Sequence, residues 1–236
     1  MLSAVLFLAL QQGTPTTPPP VKEDKPIRVI QGLDVVDMEY TGRLADGKQF
    51  DSSVGKPPFR FQVGVGAVIK GWDTGVLGLK EGDSKELVIP PDQGYGAQGA
   101  GDVIPPNATL KFDIKVIRII PAAVVEVLKE GTGEGLTSKK GVEAKIRLTL
   151  KDGKKLTPDK EEPVTLGISP ELPYGINQAI MGIKAGEKRK VTLNSDLMYG
   201  DKGVPNRDTP TGKAGSIIPG KSTLILEVEA IRIVNI

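Results

Sequence analysis

The chain has 236 residues, and its 31 lysines and arginines nearly balance 29 aspartates and glutamates, leaving a net charge of +2. A nucleic-acid-binding protein needs a basic face, and this balance predicts none. The nearest basic cluster, Lys188-Arg189-Lys190, is expected to be solvated on a strand. Cysteine and histidine are both absent, which excludes disulfides, thiol nucleophiles, histidine bases and zinc sites built from these residues. No cofactor or metal is therefore expected.

The N-terminal region has the composition of a targeting segment. Leu2 to Leu10 form an apolar run that is too short to span a bilayer but fits a secretory signal, although no basic residue precedes it. The alternative is a misassigned start or a disordered apolar tail. We expect a signal peptide over residues 1–12 and a threonine- and proline-rich linker over 13–26. The location is then extracytoplasmic (periplasmic or secreted), or cytoplasmic if the run is not a signal; no membrane span is expected.

From residue 34 onward, alternating apolar and polar residues predict strands. Val36, Met38 and Tyr40 alternate with acidic residues, which predicts a strand with one buried face. Asp46-Gly47 supplies a hairpin turn after it. Further alternating runs cover residues 59–63 and 110–116. The pattern is that of a mostly antiparallel sheet.

A short helix is predicted around the only tryptophan of the chain. Trp72 and Val76 are four residues apart and share one helix face, and Gly78 is a plausible stop. From these residues alone, Trp72 is either an ordinary core residue or the floor of a pocket. A sheet with one such helix packed on it is an α+β fold.

The second half of the chain repeats the first. The repeated pairs are Asp46-Gly47-Lys48 with Asp152-Gly153-Lys154, 78–83 with 182–187, Tyr95-Gly96 with Tyr199-Gly200, and the strand 110–116 with 224–230. Two copies of this size indicate tandem domains, which we place at residues 27–121 and 122–236. The junction, residues 120–123, is so short that we expect the domains to abut.

Four segments of the first half carry specific motifs. They are YTGRLADGKQFDSS from Tyr40, VIKGW from Val68, GYG from Gly94 and VIPPNATLKFD from Val103. In order, and nearly in spacing, they resemble the signatures of FKBP-type peptidyl-prolyl cis-trans isomerases over about residues 34–120. The resemblance implies that each domain is an antiparallel half-barrel sheet wrapped around one short helix.

The resemblance also implies a site and its ligands. Catalysis falls to Asp51, Tyr95 and Ile104, with the Ile104 amide or the Tyr95 hydroxyl holding carbonyl oxygens and Asp51 contacting the twisted carbonyl or orienting Tyr40. The substrate-binding residues are Tyr40, Phe50, Phe59, Val68, Ile69, Trp72, Val103 and Phe112. The partners implied are proline-containing unfolded or nascent proteins and, for the first domain, the macrolide inhibitors tacrolimus and rapamycin.

This sequence departs from the family pattern in places. The family's first strand has no clear equivalent in the first half, where residues 26–32 must stand in for it, and pairing of Lys56 or Arg60 with Asp51 stays open. In the second half the pocket aromatics are replaced. The replacements are Ile146 for Tyr40, Leu156 for Phe50, Thr157 for Asp51, Ile176 for Trp72 and Leu226 for Phe112. We expect this copy to be inactive and to dock substrates or partners.

The chemistry implied needs no proton transfer. Twisting a prolyl amide destroys its resonance, against a barrier of about 18–20 kcal/mol. The planar amide carries more charge on its oxygen than the twisted one, so a dry apolar pocket favours the twisted form. Two rival hypotheses remain: a non-catalytic holdase that presents apolar grooves to unfolded chains, and a structural scaffold that binds no ligand.

Overall fold

The computed structural model describes residues 27–137, 139–158, 162–169, 171–205 and 216–236. The expected signal peptide and most of the expected linker lie outside these residues. The described elements, in chain order, are β1 (Val35–Leu44), β2 (Gln49–Ser52), β3 (Phe59–Gln62), α1 (Lys70–Gly75), β4 (Ser84–Ile89), β5 (Leu110–Ile120), β6 (Val124–Lys129), β7 (Lys140–Leu150), β8 (Val164–Gly167), α2 (Tyr174–Ile180), β9 (Lys188–Leu193), β10 (Val204–Pro205), β11 (Ser216–Ile218) and β12 (Leu224–Asn235). No described helix is long and apolar enough to cross a bilayer.

The first sheet is antiparallel and is organised on the long strand β1. Its order is β2-β1-β5-β4, and β3 pairs with the beginning of β1. The whole of β1 pairs with β5, while its other edge carries β3 over residues 35–38 and β2 over residues 41–43. This arrangement confirms the antiparallel α+β fold predicted for the first half.

Helix α1 packs on this sheet through a close contact that requires glycine. A Cβ atom at Gly71 would lie 2.5 Å from Cγ2 of Ile89, so only glycine lets the helix approach β4 this closely. The Asp73 carboxylate accepts hydrogen bonds of 2.9 Å from the amides of Gly64 and Gly66. These bonds fix the loop between β3 and α1, and they place Trp72 in the core beneath it.

The second sheet is built in the same way, in the order β6-β9-β12-β7-β8, with α2 packed on its core. The repeated hairpin turns are alike in detail. Gly47 and Gly153 have φ values of 88° and 92°. The carboxylates of Asp46 and Asp152 each accept a 2.9 Å hydrogen bond from the lysine amide two residues later.

Three details differ from the sequence-based expectations. Within residues 27–32, only Val29 forms a bridge, to Lys80, so the described part of this segment is not a strand. Arg189 is not solvated: it pairs at 2.6 Å with the buried Glu187 and donates to two carbonyl oxygens that follow α2 or lie at its end. Both faces of β1 are buried over residues 35–38, including Asp37, where one buried face was predicted.

The two halves are in direct contact. An apolar cluster joins Val35 and Ile120 of the first sheet to Leu197 of the second half. Gln178 of α2 is 5 % exposed; its amide donates to the carbonyl of Leu33 at 2.9 Å and accepts from the amide of Ala123 at 2.7 Å. The second half therefore covers the outer face of β1, which explains why that strand is buried on both sides.

Candidate active site

A cavity of about 260 Å³ opens between α1 and the concave side of the first sheet. Strands β1, β2, β3 and β5 each contribute an aromatic side chain to it, and β2 also contributes Asp51. The remaining residues come from α1, the segment before it and the loop after β4. The lining residues are Tyr40, Phe50, Asp51, Phe59, Ala67, Val68, Ile69, Trp72, Tyr95 and Phe112.

Trp72 lies at the centre of the aromatic cluster and is 3 % exposed. Its ring packs edge-on against Tyr40, Phe59 and Phe112, with centroid distances of 5.3, 5.9 and 5.2 Å. Phe61 contacts it from within the core at 5.6 Å. Edge-to-face packing at these distances is favourable for aromatic rings. The indole is therefore both a core residue and part of the cavity lining, which combines the two interpretations of its sequence position.

The walls depend on a close approach at Gly42 in β1. A Cβ atom there would lie 2.7 Å from Cζ of Phe50 and 2.8 Å from Cε1 of Phe112. Because glycine has no Cβ, these two rings can lie over β1 and meet at a centroid distance of 5.5 Å. Gly42 is thus a shape-determining residue of the cavity.

The polar side of the cavity is organised by Tyr40 and Asp51. The Tyr40 hydroxyl donates to one Asp51 oxygen at 2.5 Å, and the other oxygen accepts from the amide of Ser52 at 2.7 Å. Burial, followed by the hydrogen bond to Asp51, raises the pKa of Tyr40 well above its usual value. The Tyr40 hydroxyl therefore remains protonated through the neutral range. Neither Lys56 nor Arg60 pairs with Asp51. Arg60 binds Asp37, and Lys56 donates to the carbonyl of Ser52.

Two of the expected site residues are placed differently. Val103 and Ile104 are not among the lining residues, and Ile104 is buried in the core. The Ile104 amide donates to the carbonyl of Ala100 at 3.1 Å, so it is not free to bind a substrate oxygen. Tyr95 does line the cavity, at its exposed rim.

The start of α1 supplies a donor that sequence reasoning missed. Ile69 is the N-cap of α1 and lines the cavity, and its amide donates to no other residue in the described part of the chain. Unpaired amides are typical of helix N-termini. The signal available in the sequence was the position of Ile69 immediately before the helix. Among the described residues, no group of three or more acidic side chains is placed to hold a metal ion.

Comparison with known proteins decides the family. A family model described as FKBP-type peptidyl-prolyl cis-trans isomerase matches residues 28–117 and again 133–231. The chain belongs to this family. Both halves of the molecule are therefore FKBP-type domains, as their two sheets and two helices indicate.

Named relatives match over a single FKBP-sized segment. FK506-binding protein 2 of Dictyostelium discoideum is 55% identical over 87 residues, which is 36% of this chain and 65% of that protein. Peptidyl-prolyl cis-trans isomerase FKBP53 of Arabidopsis thaliana is 53% identical over 85 residues, 36% of this chain but only 18% of that protein. Among solved structures, the three FKBP domains of wheat FKBP73 match at 26% identity with a TM-score of 0.40, covering 91% of this chain and 92% of that one.

In the described part of the second FKBP-type domain, the aromatic cavity of the first has no counterpart. The residues matched to the cavity aromatics are aliphatic and pack against the second core; they include Ile146, Leu156 and Ile176, while Leu226 is fully buried. Tyr199 has the same setting as Tyr95, since each precedes a 3-10 turn and is about 40 % exposed. The depression next to Tyr199 is too small to hold a water molecule.

Proposed function

We propose that this protein is a peptidyl-prolyl cis-trans isomerase that assists protein folding, with its active site in the aromatic cavity of the first domain. The observation that carries the proposal is a cavity lined by six aromatic side chains, one of which, Tyr40, is bonded to Asp51. A proline ring is apolar and compact, and such a cavity buries it while excluding water.

The chemistry follows from the difference between planar and twisted amides. Water stabilises the planar ground state more than the twisted transition state, so transfer into an aromatic cavity lowers the barrier. Lowering the activation free energy by about 5 kcal/mol raises the rate by nearly four orders of magnitude. The Tyr95 hydroxyl and the Ile69 amide are the donors for substrate carbonyl oxygens, in place of the Ile104 amide. Asp51 orients the Tyr40 hydroxyl, because their 2.5 Å bond fixes both groups.

A matched pair of tyrosines tests the site. Tyr95→Phe removes one hydroxyl from the cavity rim, and a hydrogen bond of about 0.5–1.5 kcal/mol corresponds to about a 2- to 13-fold loss of kcat/KM on a prolyl peptide. Tyr199→Phe makes the same change at the equivalent turn of the second domain and is expected to leave activity unchanged. Equal losses for the two variants would place the activity outside the first cavity.

The macrolide expectation applies to the same cavity. The Dictyostelium relative is named an FK506-binding protein. For this chain we propose that tacrolimus and rapamycin bind the aromatic cavity, where their ring takes the place of proline. Inhibition of isomerase activity with a stoichiometry of one macrolide per chain is the expected result.

For the second domain we propose docking of extended segments of unfolded client chains along β6. This strand is at the edge of its sheet, and all six of its residues are exposed, among them Val124, Val125, Val127 and Leu128. An edge strand offers unpaired main-chain donors and acceptors, which an extended chain satisfies by adding a strand. Non-native chains are the clients that an isomerase acts on, and they expose such segments.

Two valines on opposite edges of the second sheet test the docking. Val127 in β6 and Val164 in β8 are 44 % and 43 % exposed. Val127→Lys is expected to slow catalysis of proline-limited refolding of a protein substrate and to leave turnover of a short peptide unchanged. Val164→Lys is the matched control. If both variants refold the protein substrate as well as the unmodified chain, β6 is not the docking strand.

A further inference from the structure

The cavity strand β3 has little support from its own sheet. It contains four residues and pairs only with the first residues of β1. Along it, Phe59 lines the cavity and Phe61 packs in the core, while Arg60 and Gln62 point to the opposite face. The position of Phe59 therefore depends on what holds the outer face of β3.

That outer face carries a row of charges across three strands. In the sheet register, Asp37 of β1 lies between Arg60 of β3 and Arg118 of β5. Arg60 binds the buried Asp37 through two hydrogen bonds of 2.6 and 2.8 Å. Arg118 is also close, with its Nε 3.7 Å from the same carboxylate, a distance too long for a hydrogen bond.

The second domain completes this row. Arg118 forms an ion pair with Asp196, in the 3-10 turn after β9, with Nη2 2.7 Å from the carboxylate. The pKa of Arg60 is raised, first by its hydrogen bond to Asp37 and to a smaller extent by the nearby charge of Asp196. Tyr174 at the start of α2 is close enough to Arg60 and Asp37 for their charges to affect its own pKa, which burial raises. The charges of the two domains thus form one connected group.

We propose that the second domain positions the cavity wall, with Asp196 as the positioning residue: by holding Arg118 it keeps Arg60, and through it Phe59, in place from outside the cavity. The role in catalysis rests on the isomerase function proposed above. The second domain then supports the first domain's site independently of its proposed docking role.

The mechanism is a competition for one carboxylate. Asp196 holds the guanidinium of Arg118, which leaves Asp37 to pair bidentately with Arg60. Without Asp196, the Arg118 guanidinium has Asp37 as its nearest acidic partner and draws that carboxylate away from Arg60. Strand β3 then loses the Arg60–Asp37 pair that holds its outer face. Phe59 moves relative to the Trp72 indole, whose ring centroid lies 5.9 Å from its own.

The test uses the full-length chain and its only tryptophan. Asp196→Asn removes the charge with little change in shape. We expect a shift in Trp72 emission and a loss of at least about threefold in kcat/KM, well within the roughly 100-fold that a 1 Å misplacement produces. Asp196→Glu keeps the charge and is expected to restore both readouts. Glu143→Gln is the control, because it breaks an arginine–carboxylate pair of 2.6 Å within the second sheet.

The outcomes separate positioning from stability. If Asp196→Asn lowers only the melting temperature, with emission and kcat/KM of the folded protein unchanged, the proposal is wrong. If that variant does not fold, Arg118→Met removes the competing guanidinium and must keep the emission of the unmodified chain; a shift there overturns the competition. If the unmodified chain shows no isomerase activity, the proposed function fails, while the emission comparison still decides whether the second domain positions β3.

Discussion

Replacing Trp72 by leucine is the sharpest perturbation of the proposed site. The indole is 3 % exposed and packs against four aromatic rings at centroid distances of 5.2–5.9 Å. Replacing a buried tryptophan by alanine lowers the free energy of unfolding by about 3–5 kcal/mol. Because leucine refills part of the space, we expect Trp72→Leu to lower it by about 2–3 kcal/mol. The fold is retained, since a domain is stable by about 5–15 kcal/mol, but melting should fall by about 4–12 °C.

The effect on binding is separable from this loss of stability. A substrate or macrolide ring loses its contact with the indole face, for which about 0.5–1.5 kcal/mol, or about 2- to 13-fold in affinity, is typical. In the unmodified protein, tacrolimus should change Trp72 emission saturably and abolish peptide turnover at the same occupancy. Trp72→Phe is the control, because it keeps an aromatic ring and should lose less affinity.

The reasoning is refuted by either of two results. One is an emission spectrum that stays constant while the macrolide inhibits, since the inhibitor then binds away from the indole. The other is a leucine variant with lowered melting but undiminished macrolide affinity at a temperature where it is folded. In that case Trp72 is only a core residue.

Three further predictions concern other parts of the molecule. The pKa of Tyr40 is raised in the folded state, chiefly by burial, so its contribution to stability is complete below pH 10 and is lost as the pH rises further. Denaturant titrations should therefore show that the difference in unfolding free energy between the unmodified chain and Tyr40→Phe shrinks above pH 10. Gly42→Ala should displace two cavity rings and destabilise by about 1–3 kcal/mol with loss of activity, whereas Gly32→Ala, with no atom within 4 Å, should be neutral. Arg189→Met leaves the buried carboxylate of Glu187 without its cation and should lower the free energy of unfolding by about 3–5 kcal/mol. The control Lys190→Met, at an exposed position, should lower it by less than about 0.5 kcal/mol.

Local patterns predicted the parts of the fold that local chemistry determines. The Asp-Gly turns, the alternating strands and the short tryptophan helix all appear where the sequence placed them, because each depends on residues within a few positions of one another. The aromatic cavity was also predictable, since the motifs that carry it occur in the same order as in the family. Its members come from four strands, helix α1 and two loops, and the sequence resemblance supplied that long-range information.

The errors all concern bonding partners, which an alternation of apolar and polar residues does not specify. Asp37 has the sequence position of a solvent-facing residue in an amphipathic strand, but it is buried beside Arg60 and Arg118, and Arg118 in turn pairs with Asp196 of the second domain. Arg189 lies in a basic triplet, yet its partner is a buried glutamate two residues earlier and its other bonds go to carbonyls near the end of α2. The Ile104 amide is taken by a tight turn with Ala100 that no periodicity reveals. In each case the pattern gave the residue's element correctly and its partner not at all.

These partners also explain how a copy without an aromatic cavity contributes to the molecule. The second domain keeps the alternation, turns and core of the fold, and its pocket positions are aliphatic. Its contacts with the first domain come from elsewhere: Gln178 on α2, Leu197 and Asp196 on the turn after β9. Covering β1 from outside requires that surface and does not require a cavity. Aliphatic pocket positions in the second domain are therefore compatible with the support that we propose it gives to the site of the first.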